Sequence, residues 1–171
     1  MKPARIIKES SLGRLLSHIS GNPKIKSWGI ISAFRKSNSK RQNLELNKRL
    51  EADIRSLNLG IIKLEGHWKE CQLEDVPYEK CPADKLVDTI EHSFFIPNIS
   101  KEDLKKVTSK YNQDASVFSE TPGEASLLFK NGSVSSLGKM SVGKIGQGFS
   151  KIKGRTFTFE QKISYFKSLL K

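Results

Sequence analysis

Cysteine is scarce in this chain: Cys71 and Cys81 stand alone, both in one acidic stretch. Two cysteines make no disulfide framework. Reduced thiols in a cytosol-like compartment are the simpler expectation, with a single bridge as the alternative. Long apolar runs are missing too. None approaches the ~20 residues that cross a bilayer, and the N-terminus has no apolar segment of the ~7–15 residues that a secretory signal requires. Export by that route and a membrane partner are therefore not expected. Histidine is limited to His18, His67 and His92, and neither cysteine lies in a signature with a histidine partner. No G-x-S-x-G elbow and no G-x-x-x-x-G-K-[ST] loop occurs, which removes two common catalytic frames. Gly143, Lys144, Gly146 and Gly148 form a Gly-rich run, yet it neither follows a clear strand nor opens a clear helix. With no catalytic signature and no cofactor motif, the residues alone lean away from an enzyme.

What is abundant is positive charge. The 171 residues carry a formal net charge of +12. Residues 1–50 and 101–171 are basic, whereas 51–100 are acidic. A basic surface of this kind concentrates polyanions and steers them in; the plainer account is a solubilising surface. Basic residues interleave with aromatics in two clusters. One is Lys24, Lys26, Arg35, Lys36, Lys40 and Arg41; the other is Lys139, Lys144, Lys151, Lys153 and Arg155. Charges can track a phosphate backbone while aromatics stack on bases. The strands lack the aromatic motif of RNA-recognition domains, so the expected partner is nucleic acid or another polyanion, bound without sequence preference.

Periodicity sets the architecture. Leu12, Leu15, Leu16 and Ile19 predict a short N-terminal helix over 10–20, stopped by Gly21-Asn22-Pro23. Trp28–Phe34 reads as a buried strand. Leu46, Leu50, Ile54 and Leu57 mark one face of a helix over 38–58, with Gly60 as its stop. Gly60–Trp68 and Thr89–Ile96 read as strands around an exposed acidic loop at 70–87. Ser100 caps a helix bearing Leu104, Val107 and Tyr111. Ala115–Ser119 and Ala125–Phe129 are short strands. The expected division is an N-terminal helical segment at 1–23 and an α+β core at 24–130. A basic Gly/Ser/Lys arm at 131–156 follows, then a final helix at 157–171 capped by Thr158. The core order β-α-β-β-α-β is the split βαβ pattern of ferredoxin-like antiparallel sheets.

Several stretches together carry a resemblance: Ser32-Ala33-Phe34-Arg35, Asn43, Asn47, Leu57, Gly60, Gly66-x-Trp68-x-Glu70, Glu91-His92-Ser93-Phe94-Phe95 and Tyr111 through Ser116. The series resembles an uncharacterised small α+β family of bacteria and tailed bacteriophages, over about residues 28–118. It implies an architecture and a phage setting but no reaction. Ile7-Lys8-Glu9 also resembles the cleavage site of phage head-targeting peptides, although an ordinary N-terminal segment is the simpler account.

Two constellations remain. Arg35, Glu91, Ser93, Gln113 and Asp114 form a polar set: Arg35 ends the first strand, and Glu91 and Ser93 sit on the third, its neighbour in the proposed sheet. Arg35 is placed to pair with Glu91 or Asp114 and so to hold a phosphate or carboxylate ligand; a structural ion pair at the strand ends is the alternative. His67, Cys71, Cys81 and His92 offer two nitrogens and two thiolates to zinc, but their spacing matches no common module, and no metal is expected. The resulting expectation is a non-enzymatic basic protein, phage-associated, contacting nucleic acid or an acidic protein surface. It would work in the cytoplasm of an infected bacterium or in the virion, with other phage structural proteins as further partners. The alternatives are an enzyme or ligand-binding domain built on the polar cluster, and a protein–protein adaptor.

Overall fold

Apolar residues alternate along the strands and recur every three to four positions along two helices, and these patterns assemble one sheet with two helices against it. The structure, a computed structural model, describes residues 22–35, 37–73, 76, 80–120, 124–142, 148–152 and 155–159. Strand β1 (Ser27–Ile31) leads to helix α1 (Lys40–Ser56), then β2 (Ile62–Cys71) and β3 (Leu86–Pro97). Helix α2 (Lys101–Lys110) follows, then β4 (Ala115–Glu120) and β5 (Ala125–Phe129). The strand order β4-β1-β3-β2, antiparallel throughout, is the ferredoxin-like α+β core that the pattern predicts.

Both helices begin at serine caps. Ser39 accepts from the Gln42 amide while the Gln42 side chain accepts from the Ser39 amide, and Ser100 accepts from the Asp103 amide. Past each helix the chain turns through an asparagine with positive φ, at Asn58 and Asn112, a conformation that asparagine tolerates. Leu50 and Ile54 of α1 and Leu104 and Val107 of α2 pack on Ile31, Phe94, Ile96, Phe118 and Leu128 of the sheet. Leu57 departs from the predicted stripe: it caps α1 and is exposed, and the buried stripe runs Asn43, Asn47, Leu50, Ile54 instead. Gly29 allows α2 to sit directly on β1, because a Cβ there would lie 2.8 Å from a Leu104 methyl.

The largest correction concerns residues 131–156, expected as a basic arm. Their described part is sheet: β6 (Val134–Gly138), β7 (Met140–Val142), β8 (Gly148–Ile152) and the start of β9 (Arg155–Phe159). β6 extends the core beyond β5, while β8 pairs with β2, and β9 with both β8 and β7. Small and basic residues look like linker in composition, yet a strand needs only alternate anchors. Leu137 supplies one, 6% exposed in β6. β9 also claims Thr158, which was expected to cap a helix. The remainder of that helix, the N-terminal helix at 10–20 and the first nine residues lie outside the described residues.

β6 and β7 occupy opposite ends of the nine-strand order β6-β5-β4-β1-β3-β2-β8-β9-β7, yet only Lys139 separates them in the chain. Two residues span at most roughly 7 Å, so the two ends of the sheet meet and the sheet closes into a ring. Gly138, with φ 79°, turns the strand at the seam. Closure accounts for a second buried cluster made of strand residues only: Trp28, Ile62, Leu64, Phe95, Ala125, Leu127 and Leu137. This is the interior face of the ring, with Trp28 and Phe95 stacked 5.3 Å apart.

The acidic stretch is shorter as a loop than expected, because β2 runs on to Cys71 and β3 begins at Leu86. Cys71 and Cys81 are joined in a disulfide, with Cα atoms 5.8 Å apart, correcting the expectation of reduced thiols. The register places Cys71 opposite Leu86, so the bond ties the loop to the free end of the β2–β3 ribbon. It also removes the thiolates from the zinc set, and no metal-ligating cluster occurs among the described residues. No helix of the described residues is long and apolar enough to cross a membrane.

Candidate active site

The chain after β1 does not simply turn into α1; side-chain amides hold it in place. Asn47 spans two elements, its Oδ1 accepting from the Ala33 amide at 2.8 Å and its Nδ2 donating to the His92 carbonyl at 2.7 Å. Ser32 donates to the same carbonyl at 2.8 Å and accepts from the Phe34 amide at 3.0 Å. Asn43 grips Arg35 at both backbone groups, accepting from its amide at 2.9 Å and donating to its carbonyl at 3.0 Å. From beyond α2, Gln113 donates to the Phe34 carbonyl at 3.2 Å. Ala33 is fully buried and Asn43, Asn47 and Ser32 are nearly so, so these bonds satisfy backbone groups that irregular chain would otherwise leave without partners. The segment 32–35 is thereby a rigid loop that presents Phe34 and Arg35, both half-buried. Phe34 meets the His92 ring edge-on at 5.5 Å.

Of the predicted polar set, Arg35 and Gln113 come together around this loop. Arg35 does not pair with Asp114 as expected: its guanidinium donates to the Asn112 carbonyl, and Asp114 pairs with Lys130 at 3.2 Å. One donor of the guanidinium fork is used there, out of five that the group carries. Glu91 and Ser93 stand on β3 on either side of His92, and strand alternation sends them to the opposite face of the sheet from Phe94 and Ile96. They share the interior face with Phe95. All five residues nonetheless fall at one end of the sheet, where β1 stops opposite Phe94 and β4 begins. Sequence reasoning noticed Asn43 and Asn47 as polar residues but not their task; their spacing on the buried stripe of α1 was the available signal.

Behind the loop, α1 and α2 are tied by a polar bridge. Tyr111 Oη donates to Asp53 Oδ2 at 2.5 Å, and Lys110 Nζ lies 2.8 Å from the same oxygen. Lys110 foremost, and then Tyr111, hold the Asp53 carboxyl below the usual carboxylate range against the opposing effect of burial. Burial, and then the Asp53 charge, push the Tyr111 phenol up.

Only part of the two predicted basic clusters lies among the described residues. Lys24, Lys26, Lys40, Arg41 and Lys139 are exposed, and Lys139 is the link between β6 and β7. Lys36 and the side chains of Lys144, Lys151, Lys153 and Arg155 lie outside the described set.

Comparison with known families then supplies the identity. The S-Adenosylmethionine lyase family matches residues 29–168, and the chain belongs to that family. No curated protein matches the chain. The family assignment overturns the expectation of a non-enzymatic, nucleic-acid-binding virion or accessory protein and favours the enzyme alternative built on the polar cluster. It also replaces the uncharacterised family with one that has a named activity, and it gives no support to a phage setting. The misreading had a physical cause: net charge describes the whole surface, whereas a reaction depends on a few residues brought together by folding.

Proposed function

We propose that this protein cleaves S-adenosylmethionine as a lyase. The observation that carries the reading is the family match, which spans both helices and nearly the whole sheet. The chemistry asks little of a cofactor. A sulfonium is a good leaving group, so a carbon–sulfur bond can break with its electron pair departing on sulfur, which becomes a neutral thioether. In a lyase reaction the other fragment restores its valence internally, by a new double bond or ring, and no water is consumed. The protein's part is to hold the substrate in the reactive conformation and exclude solvent.

The end of the sheet around the 32–35 loop offers groups for that task. The unused donors of Arg35 suit the carboxylate of the amino-acid part. The Phe34 and His92 rings offer an aromatic edge to the adenine. Gln113 lies against the same loop, donating to the Phe34 carbonyl.

The test is incubation of purified protein with S-adenosylmethionine in water enriched in oxygen-18, followed by mass spectrometry. Loss of substrate, appearance of a neutral thioether without any added acceptor, and no label in the products are expected. Unchanged substrate, a requirement for a methyl acceptor, or stoichiometric label in a product would each overturn the reading.

A further inference from the structure

The β2–β3 ribbon outruns the strands beside it. β1 pairs with β3 only as far as Phe94, opposite Ile31, and β8 pairs with β2 only as far as Trp68, opposite Gly148. β2 and β3 themselves stay in register out to Cys71 opposite Leu86. Among the described residues, Lys69–Asp88, Glu70–Val87 and Cys71–Leu86 therefore form a two-stranded strip beyond the reach of both flanking strands. A strip of two strands is marginal in water by itself. What secures this one lies at its tip. The Gln72 amide continues the ladder, donating to the Lys85 carbonyl at 3.0 Å. The disulfide joins Cys71, the last residue of β2, to Cys81, just ahead of the short 3-10 turn (Ala83–Lys85) that leads into β3. The bond thus ties the two strands covalently where pairing alone holds them least.

The two sulfurs differ in access. Cys71 is 8% exposed, whereas Cys81 is half-buried, so a thiolate from solvent meets Cys81 first. It bonds to the Cys81 sulfur as the S–S bond breaks, and Cys71 leaves as a thiolate that takes a proton. The second thiol of a dithiol reductant then displaces Cys81, so the reductant ends as a disulfide and the protein as two thiols. The chain has no third cysteine to capture either sulfur, and reoxidation restores the same bond. We propose that Cys71–Cys81 is a redox latch on the β2–β3 ribbon: a small dithiol opens it, and the strip frays from its tip. Fraying stops where the ribbon gains other partners. On β2 the limit is Trp68, where β8 begins. On β3 it is His92, whose carbonyl takes bonds from Ser32 and Asn47. Neither core cluster includes a residue of the strip, so the sheet and helices stay folded in both states. The inference stands apart from the lyase reading.

The experiment uses the full chain in buffers of varied reduced-to-oxidised dithiothreitol ratio. Thiols are counted by alkylation and mass spectrometry, and amide protection is read by hydrogen exchange. A covalent tie across a sequence separation of 10 should change local opening by about tenfold to a hundredfold. Protection over 69–72 and 85–88 is expected to fall by that factor in step with the thiol count and to return on reoxidation. Protection over 93–97 and in α1 and α2 should change less than about twofold. The double variant Cys71→Ser, Cys81→Ser should show the open pattern in every buffer; if it does not fold, the wild-type titration carries the test. Unchanged protection on reduction would mean that strand pairing alone holds the strip. Equal loss across the core would make the bond a staple of the whole fold. A bond that yields thiols only after urea is added would be structural and not a switch. Each of these overturns the proposal.

Discussion

Asn47 shows how one side chain sets the geometry of the site. It is 5% exposed and bonds two backbone groups, the Ala33 amide in the loop after β1 and the His92 carbonyl in β3. Asn47→Ala takes the Asn47 bond from the buried Ala33 amide and leaves the His92 carbonyl its bond from Ser32; such a loss costs about 1–3 kcal/mol. Urea denaturation should show a lower midpoint with an unchanged slope, and a shift below about 0.5 kcal/mol would mean that water replaces the amide. Asp53 gives the matching prediction for pH. Its folded-state pKa is depressed by Lys110 and Tyr111, so its contribution is complete above the ordinary carboxylate pKa, near 4, and is lost as pH falls through the folded value. Thermal melts between about pH 6 and pH 2 should show a shallower acid decline in Asp53→Asn than in wild type. Equal slopes would mean that the bridge is solvent-screened. Glu51 is depressed too, by Lys63 foremost, so some acid sensitivity should survive the substitution.

Elements with strong local signals were legible in the sequence, and the reasons are physical. Both described helices carry serine caps and a stripe of apolar residues, and both form where those signals place them. The stripe of α1 was read with Leu57 in it; Asn43 and Asn47 take part in its place because buried polar residues are acceptable when fully bonded. The strands β6 to β9 were not legible. Their anchors are spaced among Gly, Ser and Lys residues, and their pairings with β2, β5 and one another are non-local, which composition does not record. The candidate site was half legible. Arg35 and Gln113 meet at the 32–35 loop, whereas Glu91 and Ser93 face the other side of the sheet, and the expected Arg35–Asp114 pair gives way to Asp114–Lys130. Partner choice depends on where a loop points, and the bonds from Asn43 and Gln113 decide that. The energetic weight of α1 is testable through Leu50, which is fully buried. Leu50→Ala should cost about 2–5 kcal/mol in denaturant melts, and a loss below 1 kcal/mol would mean that the sheet collapses freely onto the shortened side chain.

At the scale of the whole molecule, the ring makes distant parts of the chain depend on one another. β6 is bonded to β5, and β7 to β9, while Lys139 alone joins β6 to β7. The interior cluster draws Trp28 from β1, Leu127 from β5 and Leu137 from β6 into one body, so opening the seam exposes apolar surface contributed by widely separated segments. Gly138 is the point at which to strain that seam. Its φ of 79° suits glycine, and a β-branched residue there should cost about 1–2 kcal/mol or more. Gly138→Val is expected to lower amide protection on both sides together, over 125–128 and 134–138 on one side and over 140–142 and 157–159 on the other. The opening free energies should match, because a closed ring parts as one cooperative unit. The α1 and α2 amides, held by the other cluster, should lose less. Loss of protection on one side of residue 139 alone would show that the two ends of the sheet are stable separately and that the ring is not the unit of folding.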